Sequence, residues 1–222
     1  PISSTGHLIL VERLIPFQET SEGFFDMFDV VIQLGAILAV VVLFWNKIWP
    51  FYMKKNQQTK KGGIVRSKKD FTVGNVALSM DAFWMWVKIV VACIPAVVYG
   101  LLFDDAVSEA FKKEIGTSGV TIQVIVVAVM LVLVGVLFIV IENWNKNRVP
   151  TTTTLSQLTY RDALIIGFCQ LVAAALPGTS RSGATILGAI MIGISRTVAA
   201  EFTFFLAIPV MFGASLLKVL KF

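Results

Sequence analysis

From Val120 to Ile141 the chain runs for 22 residues, VTIQVIVVAVMLVLVGVLFIVI, without one charged side chain. A helix of that length rises about 33 Å, and a bilayer core of about 30 Å takes roughly 20 helical residues. Three further segments meet the same requirement. They are 24–45, with VVIQLGAILAVVVLFW at its heart, 82–103, interrupted by Lys88 and Pro95, and 198–217, with the single acid Glu201 near its start. With 56% hydrophobic and only 15% charged residues, the apolar positions form unbroken runs instead of the one-sided stripe of a soluble helix. The expected fold is all-α, a polytopic membrane protein.

Two other apolar stretches are too short to span. Residues 163–176 and 184–195 number 14 and 12, reaching only about 21 Å and 18 Å. Between them lies PGTSRSGAT, residues 177–185. Its proline and glycines predict a helix that stops at membrane depth, a turn and a re-entrant helix, an arrangement tolerated only where protein or water covers the free backbone groups. The N-terminus has the same design in miniature, PISSTGH followed by the short apolar 8–17 and then a full span. Pro1 and Pro177 are 176 apart, while Leu34-Gly35-Ala36 and Phe212-Gly213-Ala214 are 178 apart. This spacing predicts inverted repeats with two re-entrant broken-helix hairpins that build one binding site at their interface. Residues 1–222 are read as a single integral membrane domain: a first repeat turn and helix over 1–45, a basic loop over 46–80, and the second repeat turn and helices over 163–217.

The net charge of +5 comes largely from the loop, where Lys47, Lys54, Lys55, Lys60, Lys61, Arg66, Lys68 and Lys69 face a single acid, Asp70. A basic loop between two spans is the positive-inside signal, a reading preferred over a nucleic-acid arm, and the loop is expected to be cytoplasmic. Asp104, Asp105, Glu109 and Glu114 then fall outside, and Lys146, Arg148 and Arg161 inside. Segment 163–176 rises outward, and 184–195 is expected to return to the outer side so that 198–217 descends and leaves Lys218 and Lys221 inside. Both turns then face the outer compartment. Trp45, Trp49, Trp84 and Trp86 are expected to form an interfacial belt. Cys93 and Cys169, without CxxC or histidine-paired spacing, are expected to be small core residues. Pro1 to Leu10 has no basic n-region or cleavage site, so it is not a signal peptide, and the chain is expected to begin after a segment left out.

Arg181 is expensive near a bilayer centre, so it should face a watery cavity and a partner. Its planar guanidinium matches a phosphate through two parallel hydrogen bonds. Thr179, Ser180, Ser182 and Thr185 supply hydroxyls, Gly178 and Gly183 allow close backbone approach, and the following helix start offers N–H groups and a positive dipole end. Together these suit a phosphate or pyrophosphate. The alternative for Arg181 is a structural ion pair with a helix end or Glu201. His7, the sole histidine, can move a proton near neutral pH or attack phosphorus; its alternative is a structural role at the interface. Ser3, Ser4, Thr5 and Gly6 precede it, and the hydroxyls are also suited to capping the next helix. Gln123 and Gln170 are assigned to packing through helix-to-helix hydrogen bonds, Gln33 is left open, and Lys88 is expected to snorkel. There is no P-loop, Walker lysine or zinc pattern.

SSTGH at 3–7, FDVVIQLGAILAVVVLFW at 28–45, PGTSRSGAT at 177–185 and EFTFFLAIP at 201–209 closely resemble the undecaprenyl-diphosphate phosphatase family, the bacterial bacitracin-resistance proteins. The resemblance implies a multi-pass plasma-membrane hydrolase that removes the terminal phosphate of undecaprenyl diphosphate and recycles the lipid carrier of peptidoglycan synthesis, with its active site toward the outer face. It implies catalytic roles for His7, Arg181, Ser180 and Ser4, and substrate contacts from Ser3, Thr5, Gly6, Gly178, Thr179, Ser182, Gly183 and Thr185. A divalent cation, Mg or Ca, is also implied, with ligands in an acidic ExxxE motif that the family carries upstream of its PxSSTGH turn. That motif and the family's last helices are not among these residues, so the piece is expected to be incomplete, its own activity is left open while the parent protein is expected to be the enzyme, and no metal ligand is assigned within it. Partners are the lipid substrate and the bilayer, with no nucleic acid and with a homodimer left open. The alternative function is a lipid-carrier flippase or other secondary transporter with an anion site at the repeat interface.

Overall fold

The computed structural model describes His7 and residues 24–53, 71–73, 76–103, 114–115, 120–176 and 178–221. Helix α1 spans Phe24–Leu43 and the single turn α2 spans Trp45–Ile48. Strands β1 (Phe51–Met53), β2 (Phe71–Val73) and β3 (Val76–Leu78) follow, then helix α3 (Met80–Leu102). Strands β4 (Glu114–Ile115) and β5 (Val120–Thr121) lead into α4 (Ile122–Asn145). The last helices are α5 (Tyr160–Ala175), α6 (Arg181–Met191) and α7 (Arg196–Lys221). The chain divides into two compact units, one of Pro1–Thr20 and Val91–Thr203, the other of Ser21–Val90 and Phe204–Phe222.

The helical architecture expected from the apolar runs is present. Among the described residues three helices are long and apolar enough to cross a membrane: Met80–Leu102, Val124–Asn145 and Arg196–Leu216. Val31–Leu43 of α1 is a shorter apolar stretch. On α4, Val132, Val136, Ile139 and Val140 lie exposed, the reverse of a soluble helix, and such a face requires lipid or protein around it. The all-α expectation needs one amendment, because the loops carry short strands. In the basic loop, antiparallel β1 and β2 flank β3, with Phe51 and Phe71 both opposite Leu78. A second pair joins β4 to β5 through Glu114↔Thr121 and Ile115↔Val120.

Within the unit of 21–90 and 204–222, three of the expected belt tryptophans, Trp45, Trp49 and Trp84, are exposed, and Trp45 stacks on Trp49 with centroids 4.9 Å apart. Trp86 is half-buried and donates its indole N–H to the Ile48 carbonyl at 2.8 Å, tying α3 to the end of α2. Lys88 does not snorkel: it is buried in α3.

The other unit holds the helices that flank PGTSRSGAT. Thr159 starts α5 with a reciprocal cap, its hydroxyl accepting the Asp162 N–H while Asp162 accepts the Thr159 N–H. Helices α5 and α6 then fold back on each other, Cys169 lying against Gly188, where a Cβ would collide with the sulfur. Gly167 permits a second close approach, to the backbone of α3 at Ala92. The open end of this hairpin is tied to the Asn145 end of α4. Asn145 donates to the Ile190 carbonyl at 3.3 Å, Arg196 forms an ion pair with Glu142, and Thr151 and Ser195 complete backbone bonds between 151–152 and 193–195.

This geometry corrects the expected path. Helix α6 returns to the end of α4 that runs into the basic 146–161 segment, so its end lies with that segment instead of opposite it, and α7 departs from there. Charge counting assigned sides to loops but could not see that the turn reverses the chain fully. The expected cytoplasmic placement of Lys218 and Lys221 rested on the uncorrected path.

The glycine contacts give a paired prediction for the protein melted in detergent. Gly167→Ala drives a methyl into the Ala92 carbonyl and is expected to lose about 1–3 kcal/mol of stability. Gly135→Ala on α4, with nothing within 4 Å of the new methyl, is expected to be neutral or to gain up to about 1 kcal/mol. Equal melting temperatures for the two variants would refute the close α5–α3 packing.

Candidate anion-binding turn

The turn between α5 and α6 is built from glycine, hydroxyls and a helix start. Gly178 has φ +85°, and a Cβ there would stand 2.7 Å from the Val127 Cα and 3.0 Å from its carbonyl oxygen. Only glycine meets both conditions, the left-handed backbone and the near contact with α4. Val127 lies 18 residues before Asn145, so the turn sits about 27 Å along α4 from the hairpin's open end.

Ser180 is the N-cap of α6, and its hydroxyl accepts the Gly183 N–H at 3.1 Å and lies 3.3 Å from the Ser182 hydroxyl. Arg181 is the first helical residue and is half-buried. Capping occupies one of the first-turn N–H groups, and the others have no acceptor within the helix. Arg181 therefore stands at the positive end of the α6 dipole, and its guanidinium stays charged in any protein setting. Gly183 keeps this start compact: a Cβ there would press on Ser180 and on Phe138 of α4, at 3.0 and 3.2 Å.

The hydroxyls divide by task. Thr185 is fully buried, donates to the Arg181 carbonyl at 2.9 Å and accepts from Thr203 of α7 at 3.1 Å. These bonds brace the helix start. Thr179 is also buried, but its hydroxyl oxygen has no hydrogen-bond partner. Gln170 on α5, assigned from sequence to a helix-to-helix hydrogen bond, makes none; both amide atoms are buried and unpartnered. A polar group left this way costs about 1–3 kcal/mol. Cys169 packs against Gly188 but is only half-buried, short of the core position expected.

Of the remaining expected site residues, Ser3, Ser4, Thr5 and Gly6 lie outside the described residues, as does Pro177. His7 is described; it is helical, exposed and belongs to the same compact unit as Arg181. Among the described residues no group of three or more His, Cys, Asp or Glu side chains could hold a metal ion. Sequence reasoning missed the supports of the turn, Val127, Phe138 and Thr203. Each stands in an apolar run with no local signal to distinguish it from its neighbours.

The whole sequence, residues 1–222, matches the family described as bacitracin resistance protein BacA. An undecaprenyl-diphosphatase of Enterococcus faecalis is 50% identical over 222 residues, covering all of this chain and 70% of the relative. One from Desulfitobacterium hafniense is 52% identical, with all of this chain and 69% of the relative covered. A third, from Acetivibrio thermocellus, is 50% identical over all of this chain and 70% of its own length. With a match that runs from the SSTGH motif through PGTSRSGAT to the last helix, the chain belongs to the bacitracin resistance protein BacA family.

Proposed function

We propose that the protein is a membrane hydrolase that removes the terminal phosphate of undecaprenyl diphosphate, releasing inorganic phosphate and the lipid monophosphate. Relatives at about half identity over the entire chain carry the name of that activity. The observation that carries the reading is Arg181 at the first position of α6, directly after the N-cap Ser180 and three residues after the left-handed Gly178. A diphosphate presents several anionic oxygens in that space. Arg181 grips two of them in a planar fork, and the first-turn N–H groups with the α6 dipole stabilise the charge that grows as the bridging P–O bond breaks. Ser180 and Ser182 line the same edge.

His7 supplies an imidazole from the same compact unit, and SSTGH forms the second turn, facing the hairpin in an inverted repeat. The imidazole exchanges a proton or bonds to phosphorus while Arg181 holds the oxyanion. The α5–α6 pair is a re-entrant hairpin. If the Asn145 end of α4 lies at the cytoplasmic interface, as the basic 146–161 segment indicates, the turn about 27 Å away comes close to the outer face of the bacterial plasma membrane. Such a site meets the diphosphate left outside after the carrier has delivered its cargo.

The test is phosphate release from undecaprenyl diphosphate by the full-length protein in detergent. Movement of labelled lipid between leaflets without any phosphate release would overturn the hydrolase in favour of a flippase. Arg181→Lys keeps the charge but loses the fork, and is expected to lower the rate by about 10²-fold or more at an unchanged melting temperature. Near-normal turnover removes the two-pronged grip. His7→Ala is expected to lower kcat by about 10²–10⁴-fold, and an unchanged kcat takes His7 out of the mechanism.

A further inference from the structure

Among the described residues, the buried side-chain polar atoms without a hydrogen-bond partner are the two of the Gln170 amide and the Thr179 hydroxyl oxygen, and all three lie on the segment that ends in Arg181. Native interiors rarely leave such groups unpaired, and an amide in an all-apolar helix core is the most demanding case, having a donor and an acceptor end to satisfy. Gln170 is only 1% exposed.

Its direction follows from its neighbours. At about 100° per residue, Gln170 points between Gly167 and Cys169. Gly167 abuts the α3 backbone at Ala92, and Cys169 abuts Gly188 of α6. The amide therefore looks into the interior between α3 and α6. In the antiparallel hairpin the Cys169–Gly188 contact sets Gln170 level with Leu187, six residues or about 9 Å below Arg181. Thr179 stands at the top of the same hairpin, one residue before the N-cap.

Packing alone does not account for a glutamine here, because leucine or methionine fills the same volume without stranded polar atoms. Groups kept against stability are characteristic of working sites. We propose that Gln170 and Thr179 take up ordered water inside the α5–α6 hairpin, and that this buried hydration holds the Arg181 turn in its anion-binding geometry. Gln170 is thus a positioning residue of the phosphate site, acting through water. The inference rests on the hydrolase reading for its activity readout.

The experiment compares Gln170→Leu and Thr179→Val with the wild-type full-length protein, measuring kcat and KM for phosphate release from undecaprenyl diphosphate and the melting temperature in detergent. Gln170→Leu is expected to melt at or above the wild-type temperature while kcat/KM falls at least ten-fold. Gln170→Glu supplies a further readout: as the neutral acid it has the same donor and acceptor, so activity returns toward low pH and is lost as the buried carboxyl ionises. Wild-type kcat/KM in Gln170→Leu overturns the proposal, as does a Gln170→Glu variant whose pH profile matches the wild type. Should Gln170→Leu fail to fold, the near-isosteric Thr179→Val decides: a ten-fold loss at an unchanged melting temperature supports the hydration, and a wild-type rate refutes it. A wild-type protein that releases no phosphate fails the hydrolase reading instead, and the unchanged or raised melting temperature of Gln170→Leu still measures whether the amide is held against stability.

Discussion

A helix can be interrupted inside an apolar protein only if other backbone covers the break, and here that cover is the contact of Gly178 with α4 at Val127. The left-handed glycine lets the chain reverse within a few residues, and the absence of a side chain lets the reversal press against α4. The rest of the candidate site depends on this contact. Without it, Ser180 would not cap a helix at that level, and Arg181 would not stand at a helix start beneath a covered turn. Gly167 and Gly188 extend the same principle down the hairpin, one against the α3 backbone and one against Cys169. Close backbone approach through small residues is how helices associate where hydrophobic burial offers no advantage over lipid.

The hydroxyls of PGTSRSGAT look equivalent on paper and are not equivalent in space. Ser180 is engaged in capping, Thr185 in a brace that reaches α7 through Thr203, and Thr179 in nothing the described protein provides. The motif therefore combines a braced helix start with a buried hydroxyl that has no partner.

The open end of the hairpin is held by different means. The Arg196–Glu142 pair is half-exposed, so it contributes little to stability by itself. Together with the Asn145–Ile190 hydrogen bond and the backbone bonds at 151–152, it fixes which end of α4 the hairpin returns to. Modest polar contacts thus set a direction, while the glycine contacts set the distance.

Much of this was legible in the residues themselves. Uncharged runs of helical length determined a membrane-type helical architecture, since backbone groups in lipid must be satisfied within the segment. Proline, glycine and hydroxyls around Arg181 located the turn and its cap, and the motifs around His7 and Arg181 identified the family. What only the tertiary structure decided was where these pieces lead and which are spent. Whether α6 returns or continues depends on contacts made by Asn145, Glu142 and Gly193 with residues up to 54 positions away, and no local pattern encodes them. Gln170 likewise reads as ordinary helix packing until its neighbours are known, because satisfaction of a hydrogen bond is a property of the surroundings and not of the residue that seeks it.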